Sequence, residues 1–202
     1  MAENAWNNEI QTKEEQRALK RQAILRVAAQ AFNQRGFRQT SLSDLAAELN
    51  VTKPTLYYYV KNKDDILSGI LDGAMVQLRE VIEQELETGS GLDKLRHFMQ
   101  RYAAVMTDDF GACLILTRIS AVETKFKDQY QTASREVFTA VRAIIQQGLN
   151  DGSIRPCDPK YVASALLGTV NETVYWYLVD GKESPAEAAE KFFTVFATGI
   201  AV

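Results

Sequence analysis

Six consecutive residues, Lys53 to Tyr58, set a lysine, a threonine and two tyrosines around a single leucine. Such side chains supply a cation, hydroxyl donors and flat aromatic faces, the groups that meet nucleic acid. Lysine suits guanine acceptors or a phosphate, and Thr55 can meet a base edge or a thymine methyl. Catalytic chemistry finds much less to work with. His97 is the single histidine, and Cys113 and Cys157 stand far apart. With no glycine-rich phosphate loop and no cluster at metal-ligand spacing, the sequence offers no catalytic residue, no metal site and no cofactor, and does not read as an enzyme. The paired acids Asp64-Asp65 and Asp108-Asp109 fit a helix cap and a loop.

Around those donors lies the stretch TSLSDLAAELNVTKPTLYYYVKNKDDIL, residues 40–67. Leu42, Leu45, Ala46 and Leu49 recur at helical spacing, and Val51, Leu56 and Val60 are expected to close over them. Ala46 is small enough for a second helix to pass close by. Asn50 stands where the chain must turn, and asparagine tolerates the left-handed conformation. Two short helices joined by a tight turn make a helix-turn-helix, whose second helix lies in the DNA major groove. With Leu56 turned inward, Lys53, Thr55, Tyr57 and Tyr58 are left to approach the groove. Thr52 is expected to cap this recognition helix, with Pro54 tolerated in its first turn. Thr40, Ser41 and Ser43 offer hydroxyl and N–H donors to the DNA backbone at a helix N-terminus.

This block resembles the tetracycline-repressor (TetR) family of transcriptional regulators, over about 50 residues from Ala23 to Leu71. PTLYYYVKNKDDIL is similar to the family's recognition-helix segment. Asn50 stands where glycine is usual, Val60 where phenylalanine is usual, and Tyr59 where histidine is frequent. The resemblance implies that Tyr57 and Tyr58 contact phosphates or bases and that Lys63 grips a phosphate. It also implies a dimer on double-stranded operator DNA and a helical body that senses a small molecule. Two half-sites one helical turn apart, about 34–36 Å, would make the operator near-palindromic.

Charge agrees with that division. Residues 1–63 carry ten Lys/Arg against six Asp/Glu, while the other 139 residues carry thirteen against twenty. A basic N-terminal third on an acidic body fits local phosphate binding. No apolar run reaches the roughly 18–20 residues that cross a membrane. The polar, acidic start MAENAWNNEIQTKEE does not read as a secretory signal, and a cytoplasmic location is expected.

The reading is all-α: a mobile arm over 1–12, a helix-turn-helix domain over 13–63 and a ligand-binding and dimerisation domain over 64–202. A first helix is predicted from about Lys13 to Arg35, with Ala23, Ile24, Val27, Ala28, Ala31 and Phe32 on its apolar stripe and Gly36 as its stop. Ser41 with Asp44 reads as a capping box, and Asn62 as the cap of a helix reaching Glu87. Ser90 opens a helix to about Thr107, which Asp108 to Gly111 break. Apolar segments follow over 112–122 and about 125–150. Asp158-Pro159 and Ser184-Pro185 open the last two helices, the first running to about Val179.

For a cavity in the body, the candidate lining residues are Phe98, Tyr102, Met106, Phe110, Leu114, Arg118, Phe138, Val141, Asn171, Tyr175 and Trp176. Arg118 and Asn171 are polar groups on otherwise apolar helices and need a partner. His97 is expected to be partly exposed, and Cys113 lacks the basic neighbours of a redox sensor. Ala163, Leu167, Ala189, Phe192, Phe193, Phe196 and Ile200 are the candidate dimer residues, because the last helix is too apolar to face water. NETVYWYLVDGKESPAEAAEKF is similar to the C-terminal region of family members that sense acyl-CoA thioesters, which implies an acyl-CoA or another hydrophobic compound as effector. The resemblance implies a repressor that releases its operator on binding the effector; an activator, or a helical protein-binding adaptor without DNA affinity, is the alternative.

Overall fold

The computed structural model describes residues 12–84, 88–117, 124–180 and 183–200, and every regular element among them is a helix. In chain order these are α1 (Lys13–Arg35), α2 (Leu42–Glu48), α3 (Lys53–Tyr59), α4 (Lys63–Glu83), α5 (Gly91–Thr107), α6 (Asp109–Leu116), α7 (Thr124–Asp151), α8 (Pro159–Asp180) and α9 (Pro185–Ile200). The chain forms two compact units, Met1–Ile70 and Leu71–Val202, with the division inside α4.

The helix starts follow from local hydrogen bonds. Thr12, Ser41 and Ser90 each accept the N–H three residues on, and Glu15, Asp44 and Asp93 return the bond to the cap's own N–H. Thr52 Oγ1 accepts from the Thr55 N–H, and Asn62 Oδ1 from the Asp65 N–H at 2.8 Å. Ser184 and Glu187 repeat the box at α9. Each arrangement satisfies N–H groups that have no partner within the helix. Gly36 ends α1 at φ 89°, and Asn50 makes the α2–α3 turn at φ 55°, in the left-handed region expected for it.

In the first unit Ile24, Leu25, Ala28, Ala29, Ala31 and Phe32 of α1 are buried with Leu45, Ala46, Leu56 and Val60. Some expected core positions are not fully buried. Ala23 is exposed, Leu42 and Leu49 are only half-buried, and Val51 stays 39 % exposed. Ala23, Leu49 and Val51 instead line an open groove between α1 and α3, beside Thr55 and Tyr59. α4 stops at Glu83, short of Glu87, and 85–87 lie outside the described residues.

In the second unit α5 lies at the centre, packed against α6, α7, α8 and α9. Leu95, Phe98, Met99, Tyr102, Ala103 and Met106 are all buried, and they recur at spacings of three and four along α5. Burial of each large side chain contributes roughly 1.5–3 kcal/mol. Asp108 serves twice, as C-cap of α5 and N-cap of α6, so the expected break is a change of helix direction within one residue. Where α5 begins, Gly91 sits so close to the backbone of Gly148 on α7 that a Cβ would collide with it. The Gly91 N–H donates to Asp151 Oδ2 at 2.7 Å, which locks that crossing.

Candidate nucleic-acid interface and cavity

On α3 one side chain is anchored and its neighbours are presented. Leu56 is 1 % exposed, whereas Tyr57 and Tyr58 are 50 % and 65 % exposed. Lys53, Pro54 and Thr55 are exposed as well. The Thr52 and Thr55 hydroxyls stand 2.8 Å apart, which couples the cap to the first outward-facing threonine. Tyr58 is braced from behind: Arg17 lies 5.3 Å from its ring centroid, and Tyr59 meets it edge-on at 5.0 Å. Tyr59 itself is half-buried.

Arg21, a residue with no sequence-level role, ties this helix down. Its Nη1 donates to the Tyr59 carbonyl at 2.8 Å and to Asp65 Oδ2 at 3.1 Å, and Nη2 donates to Asp65 Oδ1 at 2.9 Å. Asp65 also accepts the Lys61 N–H. The Arg21 guanidinium, and after it that backbone bond, hold the Asp65 carboxyl below the usual carboxylate range. Arginine's fork can engage a carboxylate with two nitrogens, which explains the residue type. Its sequence signal was a basic residue on the flank of the α1 apolar stripe, too common to single out.

Two expected DNA contacts are placed elsewhere. Thr40 is 1 % exposed, and its hydroxyl donates to the Gly36 and Ala31 carbonyls. Lys63 Nζ donates to the carbonyls of Phe37 at 2.7 Å, Thr40 at 3.1 Å and Arg38 at 3.4 Å, with the Phe37 ring centroid 4.4 Å away. An ammonium has three donors, so in this arrangement Lys63 staples the α1–α2 loop rather than reaching out. Ser41 and Ser43 remain exposed, Ser41 as the cap of α2.

The second unit holds a cavity of about 300 Å³. Tyr102, Met106, Leu114, Phe138 and Asn171, all expected, line it. Phe98 is buried core stacked 5.9 Å from Tyr102, and Phe110 and Val141 are also core. Tyr175 is 50 % exposed and outside the lining. Arg118 and the Trp176 side chain lie outside the described residues. Met75, Leu78, Tyr130, Val137 and Gly168 were missed, because an apolar residue facing a cavity has the same helical spacing as one facing a packed core. Among the described residues the polar lining is uncharged: the Tyr102 hydroxyl donates to Asn171 Oδ1 at 2.8 Å, with Tyr130, Ser134 and Ser164 nearby. Burial raises the Tyr102 and Tyr130 phenols above their usual range, so both stay neutral donors.

Several candidate dimer residues belong to this unit's own interior. Ala163, Ala189 and Phe193 are at most 1 % exposed, and Leu167 lines the cavity. Phe193 faces inward, and the Arg96 guanidinium of α5 lies 4.9 Å from its ring centroid. Phe192 and Phe196 are half-buried, and the Ile200 side chain lies outside the described residues. His97 is half-exposed as expected. Cys113 is buried, and burial pushes its thiol up to about 11, against the reactive thiolate a redox sensor needs.

A helix-turn-helix with an outward aromatic and basic face, joined in one chain to a helical unit with a cavity, defines a DNA-binding regulator. Residues 24–70 match the description "Bacterial regulatory proteins, tetR family", and residues 88–200 match "Tetracyclin repressor-like, C-terminal domain". The chain belongs to the TetR family of transcriptional regulators. Among its relatives is the HTH-type transcriptional repressor KstR2 of Mycolicibacterium smegmatis, 27% identical, with 92% of each chain covered. The TetR family transcriptional regulator PfmR from Thermus thermophilus superposes with a TM-score of 0.77 at 25% identity, covering 87% of this chain and 97% of that one. AibR, solved in complex with isovaleryl coenzyme A and operator DNA, superposes with a TM-score of 0.73 at 22% identity and the same coverage.

Proposed function

We propose that this regulator is a repressor that binds a two-fold symmetric operator as a homodimer and leaves it when a small hydrophobic or acyl-CoA-type effector occupies the cavity. The observation that carries the reading is the split on α3, with Leu56 buried and Tyr57 and Tyr58 half or more exposed beside Lys53 and Thr55. A helix held by one side chain and presenting the rest suits insertion into a major groove. Ser41, Ser43 and the capped α2 N-terminus stand ready for backbone phosphates. KstR2 is named a repressor, and AibR binds isovaleryl coenzyme A and operator DNA, which supports both halves of the reading.

The effector acts by population shift: it binds the operator-free state better and draws the protein towards it. We assign the dimer surface to the exposed apolar side chains of α8 and α9, with Tyr161 at 71 %, Tyr175 at 50 % and Val195 at 69 % exposure. A repressor that binds operator DNA works in the cytoplasm, the location this reading implies. Selection of binding fragments from pooled genomic DNA, followed by fluorescence anisotropy across a salt series, tests the proposal. Selection should enrich an inverted repeat whose affinity falls steeply with salt. Recovery of no preferred sequence, with weak and salt-insensitive binding, would overturn it.

A further inference from the structure

We infer that Arg17, on α1 and outside the helix-turn-helix, grips the DNA backbone together with Tyr58; this rests on the operator-binding reading above. Tyr58 follows Leu56 by two positions, roughly 200° round an α-helix, which sets its ring on the side opposite the core. It is also the next-to-last residue of α3. A recognition helix reads bases with its N-terminal residues, here Lys53 and Thr55. The tyrosine near its other end therefore meets the wall of the groove, which is sugar and phosphate. Arg17 is built onto this tyrosine. Its Nη2 donates to the Tyr58 carbonyl at 3.4 Å, its guanidinium lies over the ring at 5.3 Å from the centroid, and the side chain is exposed.

The charged groups around this pair divide by what they touch. Arg21, one turn along α1, donates to the next carbonyl, that of Tyr59, and engages Asp65 with its fork. Glu14 stands in the first turn of α1, where the positive end of the helix favours an acid. Lys61 is exposed beside Tyr58, and its flexible ammonium acts as a point charge. Lys63 is turned onto the carbonyls of the α1–α2 loop. Arg17 differs from all four in being stacked on the outward ring. A planar guanidinium carries five N–H donors, so it can keep the ring on its face and the carbonyl on one edge while another edge grips a phosphate. The Tyr58 hydroxyl adds a donor of its own, and the footprint on DNA extends from α2 and α3 onto the first helix.

Anisotropy titration of the full-length protein on the selected operator and on a scrambled duplex, each across a salt series, tests the inference. Arg17→Ala should weaken binding to both duplexes alike, by about tenfold, and flatten the salt slope by about one. Its urea midpoint should match the wild type. Arg17→Lys keeps the charge but not the fork, so the slope should return while affinity stays below wild type. Tyr58→Leu should cost less in the Arg17→Ala background than alone, because the two side chains act as a pair. An unchanged slope in R17A, a loss on the operator only, or strictly additive effects of R17A and Y58L would overturn the inference. If Lys61→Ala flattens the slope and R17A does not, the contact belongs to Lys61 and the inference fails. Wild-type protein without salt-dependent DNA affinity would overturn the operator reading and this inference with it, whereas wild-type binding with an unaltered R17A slope overturns the inference alone.

Discussion

Arg21 and Asp65 form a two-pronged ion pair, at 2.9 and 3.1 Å, that also captures the last carbonyl of the recognition helix. One guanidinium thus joins α1, the end of α3 and the start of α4. Neither residue lies on the outward face of α3, so their contribution to DNA binding is through the angle at which that face is held.

Arg21→Ala should lower stability by about 1.5–3 kcal/mol, as expected for hydrogen bonds to a charged group, and weaken operator binding without changing its salt slope. Urea unfolding and anisotropy measure the two effects. Asp65→Asn should show the linked pH dependence. Its folded carboxyl titrates below the usual range, so the pair contributes fully above about pH 4 and loses its contribution as pH falls towards the lowered value. The stability gap between wild type and Asp65→Asn should therefore narrow on acidification. A gap that widens at low pH would contradict the assignment.

Lys63→Met removes three hydrogen bonds to the α1–α2 loop. We expect a lower urea midpoint and an unchanged salt slope for operator binding. Lys53→Ala should do the reverse, with stability intact and the slope reduced by about one. If Lys63→Met flattens the slope instead, the lysine leaves its carbonyls when DNA arrives.

Gly91→Ala tests the tight α5–α7 crossing of the second unit. A methyl there meets the backbone of Gly148, which cannot rotate away as a side chain would. Overpacking of this kind costs about 1–3 kcal/mol, and thermal unfolding should report it. A neutral result would mean that α5 and α7 separate freely.

Dimerisation should respond to Tyr175→Glu combined with Val195→Glu, both at exposed positions. Charge on an apolar interface opposes its burial, so sedimentation should show a monomer of normal helicity. Phe193→Ala would instead cost about 3–5 kcal/mol by opening the core. A persistent dimer in the double variant would move the interface to another face.

What the sequence by itself determined were features carried by neighbours a few positions apart. The caps at Ser41, Thr52, Asn62, Ser90 and Ser184 are bonds between residues three apart. The left-handed turn at Asn50 and the helical spacing of apolar residues are equally local. The helix-turn-helix was legible for that reason, as was the outward path of Tyr57 and Tyr58 once Leu56 was turned inward. Tertiary structure alone decided the partners that come from far along the chain. Arg21 reaches Asp65 across 44 positions, and Tyr102 reaches Asn171 across 69. Periodicity shows that a face is apolar, but not whether core, cavity or a second subunit covers it. Phe193 and Met75 were therefore misread or missed, while Thr40 and Lys63 turned inward to carbonyls that only the folded loop brings near them.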